Sequence, residues 1–273
     1  MQTDRSLSPA FASVPSVRQT TWLILLVALV MFLILQFGVT LLLSITDFTW
    51  SALFGTAAML TFVLVIEHFT FARRPVKALR ALGWGRADPR AVLVAVILSS
   101  IMLAFFPVIS LVWGVPMELR HDWFWILAGS VALNGIGEET LFRGFIFGHL
   151  RRAGLSFVRA GLVSLLIFTA IHLLLFVQNP FVVALAFTFI ALVGSFPLAF
   201  LFERAGFSIW PTVILHVTVH TVRLVMIPEH YSMTVLLAWL GLQLVMTFLI
   251  LAFRGNILKE QLQESASRAE RTD

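Results

Sequence analysis

Three short stretches of this chain place carboxylate, imidazole and guanidinium groups in apolar surroundings. The first is GIGEETLFRG at 135–144, the second is FTAIH at 168–172 and the third is HVTVH at 216–220. Carboxylates and imidazoles are common proton acceptors in active sites, and histidine is a common ligand of divalent metal ions. Because cysteine is absent, a thiolate nucleophile and a cysteine-bound zinc are excluded. The three stretches therefore indicate acid–base chemistry, with any metal held by His, Asp or Glu.

The two adjacent acids of the first stretch face different neighbours if the segment is helical. Glu139 and Arg143 are four residues apart, so they share a helix face, with the acid in the better, N-terminal position. Glu138 points about 100° away from Glu139, and Asn134 lies one turn earlier on the face of Glu138. The spacing predicts that Glu139 is fixed by an ion pair with Arg143 and that Glu138 is left free to react. The alternative, in which both acids only neutralise Arg143, stays open.

Each histidine stretch presents its polar side chains on one face of a helix. Phe168 and His172 are four residues apart, and so are His216 and His220. The pair of histidines has a spacing that suits a divalent metal ion. A histidine in an apolar helix is more often a hydrogen-bonding group between helices, so this structural alternative is favoured for His172 taken alone. For the pair it stays open.

The elements that carry these stretches are predicted to be membrane-spanning helices. The chain of 273 residues is 59% hydrophobic and 12% charged, whereas soluble domains are about 45–50% apolar and about 25% charged. A spanning helix needs roughly 20 apolar residues. We predict an all-α, polytopic helix bundle with about eight transmembrane helices at 20–45, 50–72, 91–113, 123–150, 157–177, 181–202, 210–227 and 232–253.

Charge placement predicts the orientation of the bundle. With the N-terminus in the cytoplasm, 16 of the 19 basic residues fall in inner segments, and both termini lie on that side. The net charge of +5 is then explained by the orientation of the chain in the lipid bilayer. We therefore expect no nucleic-acid partner. The basic loop 73–90 either sets topology, which is the simpler reading, or lies on the anionic inner leaflet.

The chain is predicted to form one domain. We expect a flexible N-terminal segment at 1–19, a single transmembrane domain at 20–253 with its motif core at 134–223, and a polar tail at 254–273. Ionisable groups at bilayer depth cost about 2.5–3.5 kcal/mol each, so they need a partner or a purpose.

Several ionisable residues outside the three stretches have local explanations. Glu67 can extend toward water from a helix end, and His149 lies at the predicted interface. Arg223 can reach the outer interface or an acid such as Glu229. No function is predicted for these residues.

Taken in order, GEETLFR, FTAIH and HVTVH resemble the motifs of the CPBP family, the CAAX proteases and bacteriocin-processing enzymes. That family of intramembrane proteases carries EExxxR, FxxxH and HxxxN or HxxxD on separate membrane helices. The first two motifs match in full, and the third departs only in having His220 where the family has Asn or Asp. The resemblance spans roughly residues 80–253.

The resemblance implies a role for each matching residue. Glu138 would be the general base that activates water, and Glu139 would assist while held by Arg143. His172 and His216 would bind a divalent metal, expected to be zinc, or its water. Hydrolysis of an amide needs a base, a polarised carbonyl group and a stabilised oxyanion, and these groups can supply all three.

His220 leaves two roles open, because a neutral imidazole could donate to an oxyanion or act as a third metal ligand. Water must reach the site, so we expect a polar cavity open to the cytoplasm. Gly135, Gly137, Gly144 and Gly148 would give room for it or allow close helix packing.

The leading interpretation is an endopeptidase of a bacterial inner membrane that cleaves membrane proteins or peptide precursors. A non-catalytic immunity factor or scaffold, and a metal- or proton-coupled transporter, are the alternatives. The oligomeric state does not follow from the sequence.

Overall fold

The computed structural model describes residues 17–33, 46–71, 73–173 and 175–252. The described part is almost entirely helical, with one ribbon of two short strands. Its elements are α1 (Val17–Leu33), α2 (Phe48–Phe71), α3 (Pro75–Ala81), α4 (Pro89–Leu103), α5 (Phe105–Trp113), β1 (Glu118–Leu119), α6 (Trp123–Ser130), the π-helical segments π1 (Val131–Gly137) and π2 (Thr140–Phe147), α7 (Gly148–Arg152), α8 (Phe157–His172), α9 (Leu175–Gln178), α10 (Phe181–Arg204), α11 (Trp210–Val219), a 3₁₀ turn (His220–Leu224), β2 (Val225–Met226) and α12 (Glu229–Ala252). The predictions for residues 1–16, 34–45 and 254–273 lie outside the described residues.

The all-α membrane bundle is confirmed. Five helical stretches of the described chain are long and apolar enough to cross a bilayer: α2, α4 with α5, α8 with α9, α10 and α12. A helix needs about 20 apolar residues for that crossing, and α11 has only ten. The count of eight spans therefore remains a prediction.

The first motif lies in a helix that departs from regular α geometry. From α6 to α7 the chain stays helical, but π1 and π2 flank the Glu138–Glu139 pair. Such wide turns are rare and often occur at functional sites. The regular helix expected for 123–150 is therefore wrong in its middle, although both glutamates themselves keep α-helical backbone angles.

Two glycines let other elements approach the motif helix closely. A Cβ on Gly135 would lie 2.7 Å from the Val217 side chain of α11, and one on Gly144 would lie 2.1 Å from the Leu82 carbonyl oxygen. The predicted use of glycine for close packing is confirmed at these two positions. These contacts hold α11 and the segment after α3 against the helix that carries the two acids.

A short antiparallel ribbon brings the start of α6 beside the end of α11. In it, Glu118 is opposite Met226 and Leu119 is opposite Val225. The Arg120 amide extends the ribbon by donating to the Leu224 carbonyl over 2.9 Å. The first and third motifs, far apart in sequence, are brought together by this ribbon and by direct packing of α11 on π1.

The basic loop 73–90 packs partly against the protein. Leu82 is fully buried, and the Trp84 indole donates to the Thr140 hydroxyl over 3.0 Å. Val76 is 63% exposed. Because the central apolar residues face the bundle, the leaflet-binding alternative is wrong for Leu82 and Trp84.

The local explanation for Glu67 is also wrong. Glu67 is fully buried at the end of α2, and its carboxylate accepts hydrogen bonds from His149 of α7 and from Arg73. The Phe71 ring stacks on the His149 ring with centroids 4.2 Å apart. A buried charge with two donors is satisfied in place, so Glu67 ties α2 to α7 instead of reaching for water.

Candidate active site

A cavity of about 480 Å³ lies within the bundle and receives side chains from all three motifs. The motif residues that line it are Glu138, Phe142, Arg143, Phe168, His172, His216 and His220. Most other lining side chains are apolar, including Leu198 and Met246. The motif helices therefore meet at one cavity, but the expectation of a generally polar cavity is wrong.

Glu139 lies behind the cavity wall and is shared by two partners. Its Oε1 accepts from Arg143 Nη1 over 3.0 Å and from His216 Nδ1 over 2.6 Å. The side chains of Glu139 and Arg143 are 0% and 1% exposed. The guanidinium also lies 5.0 Å from the centre of the Phe168 ring. Glu139 is thus fixed by charge and by hydrogen bonding, with no access to a substrate.

Glu138 faces the cavity and keeps one oxygen available. Its side chain is 17% exposed, and its Oε1 accepts from Asn134 Nδ2 over 2.9 Å. The other oxygen, Oε2, lies 3.8 Å from His216 Nε2. This separation exceeds a direct hydrogen bond, but one water molecule can lie within hydrogen-bonding distance of both atoms. The two adjacent acids therefore have different surroundings, in agreement with their predicted difference.

Hydrogen bonds orient His172 and His216 in the same way. His172 Nδ1 lies 2.8 Å from the Phe168 carbonyl oxygen, and His216 Nδ1 bonds to the Glu139 carboxylate. Both partners are acceptors, so the Nδ1 atoms must be the donors. In the neutral rings each Nε2 then keeps its lone pair. Metal-binding histidines commonly have this arrangement, with the second nitrogen bonded to a carboxylate or carbonyl group.

His220 lies at the point where α11 tightens into the 3₁₀ turn. Its ring stacks on His216, with centroids 5.3 Å apart and planes inclined by 28°. Within the described ranges, no three His, Asp or Glu side chains group closely enough to hold a metal ion. The alternative in which His220 is a third metal ligand therefore has no support among the described side chains.

Further polar residues line the cavity without having been assigned a role from sequence, among them Asn134, Arg223 and Gln243. Asn134 bonds to Glu138, and Gln243 is 3% exposed with its Oε1 lacking a partner in the described part of the chain. Arg223 reaches the cavity from the 3₁₀ turn. Its spacing from His216 and His220, at seven and three residues, could have indicated a shared helix face. For Gln243, a lone polar residue on an apolar helix was the only signal.

A carboxylate and histidines around a cavity inside an all-α membrane bundle are typical of intramembrane proteases. Residues 120–222 match the family described as "Rce1-like: Type II CAAX prenyl endopeptidase Rce1-like". This range contains all three motifs and confirms the resemblance to the CAAX protease family. Comparisons with curated proteins and with solved structures gave no significant match.

Proposed function

We propose that this chain is an intramembrane endopeptidase in which Glu138 activates the attacking water. The observation that carries the proposal is the position of its Oε2, which is free, faces the cavity and lies 3.8 Å from His216 Nε2. A water molecule beside Oε2 would donate a proton to it, and the lone pair of His216 Nε2 stays available for a metal ion. The family match supports the protease activity, whereas the roles below rest on the geometry of the site.

In the proposed reaction, Glu138 takes a proton from water while the water oxygen attacks the carbonyl carbon of the substrate. The tetrahedral intermediate carries its negative charge on the former carbonyl oxygen, and an N–H of His220 stabilises it. The intermediate collapses with cleavage of the C–N bond, and protonated Glu138 returns its proton to the leaving amine. Glu139 holds the His216 ring in one orientation throughout, because its Oε1 accepts a hydrogen bond from the His216 Nδ1–H.

A divalent metal is part of the proposal, with the Nε2 atoms of His172 and His216 as its protein ligands. Zinc accepts imidazole nitrogen well, and it would polarise the substrate carbonyl group. His220 is assigned to the oxyanion because the described residues form no three-ligand group.

The proposed substrates are membrane proteins or membrane-associated peptide precursors. The largely apolar cavity lining supports an apolar segment as the bound part. The family description names prenylated CAAX substrates. Such proteins are not expected in bacteria, so we do not extend that substrate to this chain. The excess of arginine and lysine in the predicted inner loops supports an inner-membrane enzyme with cytoplasmic termini.

The test compares peptide termini in membranes of cells that express the wild type, Glu138→Gln or Glu118→Gln at equal protein levels. Glu118 makes the matched control because it is exposed in β1, away from the cavity lining. Termini present with the wild type and Glu118→Gln, but absent with Glu138→Gln, would support proteolysis and identify substrates.

Identical termini in all three membranes, with the cellular phenotype retained, would favour a scaffold instead. In a second arm, purified protein is treated with a chelator and then with zinc. Activity that is lost and restored supports the metal, and activity that is unaffected rejects it.

A further inference from the structure

Arg223 presents an unused cation to the cavity. Its guanidinium lines the same space as Glu138 and His220 and remains accessible to solvent. It forms no ion pair with a residue in the described ranges, including the expected partner Glu229. Its identified contact is the Phe48 ring, whose centre lies 5.7 Å from the guanidinium carbon.

A guanidinium carries five N–H donors, and the face of a phenyl ring accepts none of them in conventional hydrogen bonds. Within the described part of the chain, no carbonyl or carboxylate accepts a hydrogen bond from the Arg223 side chain. Arg143 also lines the cavity, but it forms an ion pair with Glu139. Arg223 interacts with the charge of Glu138 only at longer range, so its hydrogen-bond donors are left for a ligand.

The position of Arg223 is well defined by its backbone. Leu224, the next residue, accepts a hydrogen bond from the Arg120 amide over 2.9 Å, and β2 follows directly. Arg223 thus extends from a 3₁₀ turn that the ribbon holds against the start of α6. A backbone held in place reduces the conformational freedom that Arg223 would lose on binding an anion, and the planar fork of its guanidinium matches a carboxylate.

We propose that Arg223 binds a carboxylate of the peptide substrate and so selects for an acidic group at a fixed distance from the scissile bond. This inference rests on the proposed protease function. From His216 to Arg223 the axis rises about 6 Å through the α-helical turn and about 6 Å through the 3₁₀ turn. An extended peptide covers about 3.3 Å per residue, so the carboxylate lies about three to four residues from the cleaved bond.

The experiment uses the full chain in lipid nanodiscs and a library of synthetic peptides, each with a central apolar segment. Every peptide is made with a free or an amidated C-terminus, and with Glu or Gln at each of four positions on either side of the centre. The amidation arm tests a terminal carboxylate, and the Glu-to-Gln arm tests a side chain. Cleavage is measured for the wild type, Arg223→Gln, Arg223→Lys and Arg120→Gln.

Arg120→Gln is the matched control, since it removes the same charge from an arginine that already pairs with Asp122 outside the cavity. We expect the wild type to favour the carboxylate peptide by about 10- to 100-fold in kcat/KM, the range for a hydrogen-bonded charged group. Arg223→Gln should abolish that ratio, because kcat/KM falls much more for the carboxylate peptides than for the neutral ones. Arg223→Lys should retain part of the ratio, and Arg120→Gln all of it.

Two results would overturn the inference while leaving the protease function intact. One is cleavage by the wild type with no carboxylate preference. The other is an equal loss for acidic and neutral peptides in Arg223→Gln, which would assign Arg223 to the reaction instead. Peptide binding to Glu138→Gln is measured alongside. If the wild type cleaves no peptide, the proposed function is contradicted. Carboxylate-selective binding would then keep only the carboxylate site at Arg223, whereas non-selective binding would reject that site as well.

Discussion

Removal of the Arg143 guanidinium alone should destabilise the fold more than removal of Arg143 together with the charge of Glu139. Both side chains are essentially inaccessible, and they share a single hydrogen bond of 3.0 Å. Arg143→Met therefore leaves a buried carboxylate without its counter-ion. Breaking one side of a buried pair typically costs about 3–5 kcal/mol, whereas replacing both partners is often nearly neutral. The double variant Glu139→Gln/Arg143→Met should recover most of that loss.

The same pair of substitutions can separate stability from catalysis. A glutamine at 139 still offers an oxygen to His216 Nδ1, whereas a leucine offers none. Glu139→Leu/Arg143→Met should be less stable than Glu139→Gln/Arg143→Met by about 1–3 kcal/mol, because the buried His216 Nδ1–H loses its acceptor. The leucine variant should be about 10- to 100-fold less active, the usual loss when the residue that orients a functional histidine is removed.

Thermal unfolding in detergent, followed by the fluorescence of the eight tryptophans, measures the stability of each variant. Activity is measured as cleavage of a substrate peptide identified by the comparison of peptide termini, at equal concentrations of folded protein. An Arg143→Met protein as stable as the wild type would refute the buried-pair reasoning. Equal activity of the two double variants would show that Glu139 does not orient His216.

Two further substitutions test the surroundings of the site. Asn134→Ala should lower kcat about tenfold, with little change in KM, because Glu138 loses the donor that fixes which carboxylate oxygen faces water; an unchanged kcat would contradict this role. Gly144→Ala should lower the free energy of unfolding by about 1–3 kcal/mol, since its Cβ would overlap the Leu82 carbonyl oxygen. A Cβ on Gly241 would meet nothing within 4 Å, so Gly241→Ala should be neutral or slightly stabilising in the same unfolding assay. Equal effects of the two substitutions would count against the close contact of Gly144 with Leu82.

The features that followed from sequence are those set by local spacing. The Glu139–Arg143 pair needs only one helical turn, so its four-residue interval was enough to predict it. The pair survives although π2 begins between its two members. The all-α membrane bundle followed from composition alone, because apolar segments of that length need intramolecular backbone hydrogen bonds in lipid.

The features that sequence did not reveal depend on contacts between distant segments. His216 is 77 residues from Glu139, and His149 is 82 residues from Glu67. No periodicity relates such pairs, so each histidine had a local explanation until the packing of the helices was known. The widened helix around the two acids was equally hidden, because π-helical turns have no sequence pattern as clear as the 3.6-residue repeat.

Two adjacent acids are present because a single carboxylate cannot both orient the site and transfer protons. Glu139 holds both Arg143 and His216 through its Oε1, and protonating it would weaken both contacts. Such a group cannot also exchange a proton in every catalytic cycle without disordering the histidine. Glu138 can, because it is partly exposed and only its Oε1 is bound, by the neutral amide of Asn134. One acid therefore organises the site while its neighbour reacts.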